Sequence, residues 1–369
     1  MNLKLLTRRH ALGLCGGSIL SSLAAQGALA HSRREEGPLF LTSATRDGGQ
    51  HGGAILSSDG ELLAEFALPE RGHGAALRPG TRDAVIFARR PGTFALVLDT
   101  GTGMTRQLIP SRRDRHFYGH GCYSRDGAIL FATENDFDGE RGVIGLYDAR
   151  DGYRRVGEFP CHGIGPHEMA LMPDGRTLVV ANGGILTHPD APRMKLNLAE
   201  MAPSIAFIDA TSGDLLLRHT PPDELRQLSL RHLSVRGDGC VAAVAQWEGA
   251  VLEQPPLIAL LDRDTGLRFQ VAPPAVAPRM RNYCGSVAFS KDGERFAVSS
   301  PRGGLITIWG GDGNYREAIA LEDGCGLAAG AGGFVFTSGR GVVTSDGSRE
   351  MRRHEEIAFD NHLIALNRP

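Results

Sequence analysis

From Leu39 onward the apolar residues fall in short runs, many alternating with polar residues, and each run is cut by Gly, Asp or Pro. Helical periodicity is nearly absent, so the pattern predicts an all-β fold of short strands. The runs also group in fours. After His120 come runs at 128–133, 143–147 and 153–159, and His167 then opens the next group. A unit of about 40 to 50 residues holding four strands is the signature of a β-propeller blade, a small sheet that buries its faces only between neighbours.

Turn residues support this register. Asp126-Gly127, Asp174-Gly175, Asp238-Gly239 and Asp292-Gly293 each follow the head of a unit, with Gly80 and Gly332 expected in the same place in two degenerate units. A second turn recurs at Gly101, Gly152, Gly213, Gly266 and Gly313, where a third strand should pass to a fourth. Glycine there permits the positive φ of a tight hairpin. Seven heads, at His73, His120, His167, His232, Cys284, Cys325 and His362, predict a seven-bladed β-propeller. Only one strand's length of chain follows His362, whereas runs at 39–44, 53–56 and 62–68 precede His73. The last blade is therefore expected to close by N-terminal strands pairing with the C-terminal strand, which leaves no open array edge. The widest interval, after His167, predicts an insertion in the third blade.

Composition narrows the class. The chain is 41% hydrophobic and 22% charged, ordinary for a globular protein. Its net charge of -2 argues against a nucleic-acid surface or a polybasic membrane patch. Before Leu39 the reading differs. Arg8-Arg9 precede a small-residue apolar stretch that ends in Ala28-Leu29-Ala30. This resembles a twin-arginine export signal, so residues 1–30 are expected to be cleaved, 31–38 to form a linker and 39–369 the propeller. A periplasmic protein with no transmembrane segment in its mature form is the expectation, and Leu14 before Cys15 argues against lipidation. That export route, as the resemblance implies, carries folded proteins, often with a cofactor inserted. Cys122, Cys161, Cys240, Cys284 and Cys325 remain after cleavage, an odd number, so at least one thiol has no intrachain disulfide partner. No covalent-haem motif, nucleophile elbow or phosphate-binding loop occurs, and no reaction is assigned.

The heads carry the candidate chemistry. On a seven-bladed ring, His73, His120, His167, His232 and His362 surround one mouth of the channel, with Cys284 and Cys325 as softer donors. Imidazole suits iron, copper or zinc. Because inner-strand side chains face neighbouring blades, the ligands are expected on the loops leading into those strands. Two other readings compete. Gly72-His73 and Gly119-His120 repeat the Gly-His of WD-type blades, where histidine is structural, although Trp247 and Trp309 lack the Asp that follows Trp in such repeats. Arg71, Arg115, Arg231 and Arg281 would suit an anion at the same mouth, offset by Glu70, Glu168 and Asp360. Further candidates are His116 and His162 as outer ligands, Glu134 to Asp138 as a Ca²⁺ loop or a plain turn, and His188 with Asp190 in the insertion. His31, the expected mature N-terminus, could chelate copper.

Several motifs together carry a family resemblance. Ile164-Gly-Pro-His167-Glu168, Ala181-Asn-Gly-Gly-Ile185, Arg193-Met-Lys-Leu-Asn197, Ser229-Leu-Arg-His-Leu233, Ser300-Pro-Arg-Gly-Gly304 and Asp360-Asn-His-Leu363 resemble the twin-arginine-exported propellers known as domain of unknown function 1513. The resemblance spans essentially the whole mature chain. It implies a genomic setting beside imelysin-type periplasmic proteins and di-haem oxidoreductases of iron acquisition, which favours iron and an imelysin-like partner. Three functions are consistent with it: a metal-binding propeller, an oxidoreductase using that metal, and an interaction scaffold with structural histidines.

Overall fold

The computed structural model describes residues 39–191, 194–346 and 352–366; the expected export signal at 1–30, the linker at 31–38 and His31 lie outside the described residues. Among the described residues are seven four-stranded antiparallel sheets, arranged as the blades of a seven-bladed β-propeller. The innermost strands of blades 1 to 7 are Gly72–Leu77, Arg115–Tyr123, Pro166–Leu171, Leu228–Val235, Ser286–Phe289, Gly324–Ala329 and Ile357–Leu366. Each packs beside the inner strand of the next blade, and that of blade 7 packs beside that of blade 1.

Closure follows the expected route. Ile357–Leu366 pairs with Leu39–Arg46, and His51–Leu56 and Leu62–Ala67 complete blade 7 outward. No helix among the described residues is long and apolar enough to cross a membrane.

The middle strands are near-continuous apolar runs because blades cover both of their faces. Asp83–Ala88 and Val241–Trp247 are buried almost throughout, whereas the outer strand Thr105–Pro110 is mostly exposed. Phe87, Phe117 and Tyr147 fill the gap between blades 1 and 2, and Phe131, Met169 and Val180 that between blades 2 and 3. Equivalent clusters occupy the remaining gaps. Burial of each large side chain contributes about 1.5–3 kcal/mol. The expected first-turn glycines at 127, 175, 239 and 293 all have positive φ. Two expectations fail: Gly332 does not adopt it, and in blade 1 the left-handed residue of the second turn is Gly103 rather than Gly101.

One irregularity recurs on the inner strands and determines what the channel mouth presents. The ladder breaks between Gly72 and Ala75, Phe117 and Gly121, Pro166 and Met169, Leu230 and His232, and Phe359 and Leu363. Every head histidine sits at or within such a break. The histidines therefore lie on the strands, not on the loops leading into them. The expectation of loop ligands assumed a regular pleat; a β-bulge re-aims side chains out of it.

A bulge also frees backbone carbonyls that must find other donors. Side chains on the second strand of one blade reach the head carbonyl of the next: Ser43 Oγ to His73 O (3.3 Å), Thr133 Oγ1 to His167 O (3.2 Å), Gln246 Nε2 to Cys284 O (3.3 Å) and Ser299 Oγ to Cys325 O (2.9 Å). Thr133 also reaches His120 O, and Thr42 Oγ1 donates to His362 O at 2.7 Å.

The insertion predicted after His167 lies between Thr177–Asn182 and Ser204–Asp209. It folds onto blade 2, where Asn135 Nδ2 donates to Thr187 O (2.9 Å) and the Tyr118 and Thr187 hydroxyls pair at 3.3 Å.

Candidate metal centre

Close approach of five strands is the first requirement, and glycine supplies part of it. A Cβ on Gly74 would lie 2.6 Å from His120 Nδ1, and one on Gly119, whose φ is +107°, would lie 2.6 Å from His73 Cδ2. The Gly-His-Gly sequences at 72–74 and 119–121 thus let blades 1 and 2 bring their imidazoles together, with ring centroids 4.8 Å apart.

The other rings join them. Centroid separations are 4.6 Å for His73–His362 and 4.7 Å for His120–His362, His167–His232 and His232–His362. All five imidazoles are buried, at 1–8% exposure. Three overlapping groups have ligand atoms within 4.8 Å of one another: His73, His167 and His232; His73, His120 and His362; His120, Glu168 and His232. These groups could hold a metal ion once their donor atoms close to the roughly 4.2 Å or less that separates ligands bound about 2.0–2.1 Å from one centre.

Carboxylates orient the rings. Asp360 Oδ1 lies 3.3 Å from His73 Nδ1, and Glu168 Oε2 lies 3.1 Å from His232 Nδ1, which leaves Nε2 of each ring for another partner. This carboxylate–histidine arrangement fixes ligand direction at metal sites. His120 Nε2 and His362 Nε2 are buried without a hydrogen bond. Burial, reinforced by neighbouring rings and arginines, holds His120, His167, His232 and His362 well below the ordinary histidine value, and burial also lowers His73. The rings are thus neutral near pH 7, the form that ligates. Burial pushes Glu168 up to about 8. Asp360 stays below the usual carboxylate range despite its burial, because His73, Arg71 and Arg89 favour its charged form.

The thiols are placed elsewhere. Neither Cys284 nor Cys325 joins a group of potential ligands among the described residues. Cys284 precedes the inner strand of blade 5, its N–H bonded to Ala245 O of blade 4. Cys325 occupies a bulge, but its Sγ faces Phe359 O and Asp360 O, each at 3.3 Å. Burial pushes Cys284 up to about 12 and Cys325 higher still, so neither is a thiolate. All five described cysteines are free.

Other candidates are similarly committed. Asn135 Nδ2 lies 3.0 Å from His116 Nε2, and burial lowers His116 to about 4. His162 Nε2 lies 3.0 Å from Gly213 O, and His188 Nδ1 lies 3.2 Å from the Asp190 N–H. In the Glu134 to Asp138 segment, Glu134 pairs with Arg155 and Asp136 with Arg115 and Arg141, so these two carboxyl groups face guanidinium groups rather than a Ca²⁺ site.

Of the four predicted arginines, Arg231 alone reaches the cavity above the rings. Arg71 pairs with Asp360, Arg115 with Asp114, Asp136 and Glu158, and Arg281 ends a short 3-10 turn; Glu70 is exposed. The cavity, about 50 Å³, is lined by His73, His167 and His232 together with Arg89, Arg90 and Arg231. Arg89 and Arg90 escaped the sequence reading because they lie in the turn that follows the second strand of blade 1, away from the repeating heads. Their signal was the pair of adjacent cations before Pro91.

A family model described as "Protein of unknown function (DUF1513)" matches residues 66–366. The match begins within blade 7, so two of the strands that close the ring precede it. No curated protein matches the chain in sequence. Among solved structures, hydrazine synthase of Kuenenia stuttgartiensis is similar, with a TM-score of 0.59 and 14% identity over 81% of this chain and 90% of that one. At that identity the likeness concerns the fold alone.

Proposed function

The chain belongs to the DUF1513 family, and from that premise we propose that it is a periplasmic metal-binding propeller that holds a transition metal, preferentially iron, at the mouth of its channel. One observation carries the reading: five neutral imidazoles from five different blades converge, two of them with unpartnered buried Nε2 atoms. A purely structural role would pair those atoms within the blades, as buried polar groups ordinarily are. A donor set of imidazole nitrogens, with the Glu168 carboxyl group in one of the three groups, suits iron, copper or zinc. Iron is the proposed metal because the motif resemblance implies a setting beside imelysin-type proteins, which are the proposed partners.

Elemental analysis of protein purified from a periplasmic fraction tests this. About one equivalent of iron is expected, and less than about a tenth of an equivalent of any transition metal, unchanged after reconstitution, would overturn it.

The cavity beside the rings supports a second reading, a redox enzyme, because a metal with an exchangeable position can bind an exogenous reactant. A metal-loaded protein that shows no voltammetric wave and no turnover of oxidase or reductase substrates would eliminate it.

A further inference from the structure

Charge around the cavity is unbalanced. Arg231 is buried and shares Glu248 with Lys195, its own contact to that carboxylate being 3.2 Å. Its Nε also donates to Ser229 Oγ at 3.1 Å, and burial lowers it to about 10. The guanidinium groups of Arg89 and Arg90 have no carboxylate within ion-pair distance among the described residues. Arg90 acts electrostatically on Arg231, and Arg89 on His73, His232 and His362 as well as on Asp360, whose charge Arg71 already shares. A cation bound at the rings would add charge of the same sign. Coulomb repulsion in so enclosed a place calls for an anion between the metal and the arginines.

Shape and donors limit that anion. The cavity of about 50 Å³ is several times the roughly 10–15 Å³ needed for one water-sized group, so it admits a few heavy atoms. Tyr118, Gln246, Tyr283 and Asn361 add neutral polar groups to its lining. Guanidinium groups match a planar carboxylate with two parallel hydrogen bonds.

We infer that the cavity walled by Arg89, Arg90 and Arg231 is an anion site for a small planar carboxylate-type group, which sits over the histidine cluster and completes the coordination of the metal held there. The inference rests on the metal reading above. Two sources share this chemistry: free bicarbonate, and a carboxylate arm of a larger metal chelate.

Co(II)-loaded full-length mature protein provides the test, with metal content measured by elemental analysis and anion binding by the visible spectrum. Bicarbonate or acetate is expected to shift the spectrum saturably and to tighten Co(II) binding about tenfold or more. A response to bicarbonate and acetate assigns the free anion; a response to citrate alone assigns the chelate arm. The Arg89→Gln/Arg90→Gln double variant, its metal content and circular dichroism measured in parallel, is expected to lose the response. Wild-type protein that binds Co(II) but responds to none of the three anions overturns the inference, as does a folded, loaded double variant with the wild-type response. Wild-type protein that takes up neither Co(II) nor iron instead overturns the metal reading, and the anion inference with it.

Discussion

His120 and His362 each bury an Nε2 atom that makes no hydrogen bond, and leaving such a group unmet costs about 1–3 kcal/mol. Coordination would remove that cost, so His120→Ala/His362→Ala should lower metal affinity at least tenfold without unfolding the blades, as read by competitive chelator titration and circular dichroism. Asp360→Asn should cost about 10–100-fold in affinity by the same titration, because Asp360 holds the His73 ring through Nδ1. Cys284→Ala and Cys325→Ala should leave bound metal unchanged, since both thiols lie outside the ligand groups. The contrast shows what a repeating phase can convey. Histidine at one place in successive units was visible because the residue type recurs. Phase alone does not give side-chain direction, and Cys325 shares a bulge position with the histidines yet faces backbone carbonyls of blade 7.

Strands and their irregularities explain how the rings meet. The blade count, the four-strand units and the closure by N-terminal strands were legible because propeller repeats must place turns and apolar runs at fixed intervals. The bulges were not, because a break in ladder register leaves no distinctive residue pattern on a short inner strand. Arg89 and Arg90 stayed hidden for a related reason: a second strand delivers them to the mouth, and their meaning depends on where that strand ends. Two element-level substitutions test the account. Thr133→Val removes the hydroxyl that serves the carbonyls of both His120 and His167, and should cost about 1–3 kcal/mol in denaturant unfolding. Gly74→Ala forces a Cβ against His120 Nδ1 and Gly119 O, and should cost about 1–3 kcal/mol while also weakening metal binding.

At the scale of the molecule, a metal held by three of the histidines would tie together blades that otherwise meet through apolar clusters and side-chain to carbonyl hydrogen bonds between neighbours. Binding to the folded state alone adds about 2.7 kcal/mol of stability when free metal is 100 times Kd. The melting temperature should therefore rise on metal addition and fall on chelation, and the His120→Ala/His362→Ala variant should lose most of that difference in calorimetry. The most direct test of the central claim is anomalous diffraction from crystals of the purified protein, with data collected at the iron edge. A single strong peak within bonding distance of at least three of His73, His120, His167, His232 and His362 is predicted. Ordered imidazoles with no anomalous peak among them at the iron, copper or zinc edges, after the protein has been supplied with each metal, would contradict it.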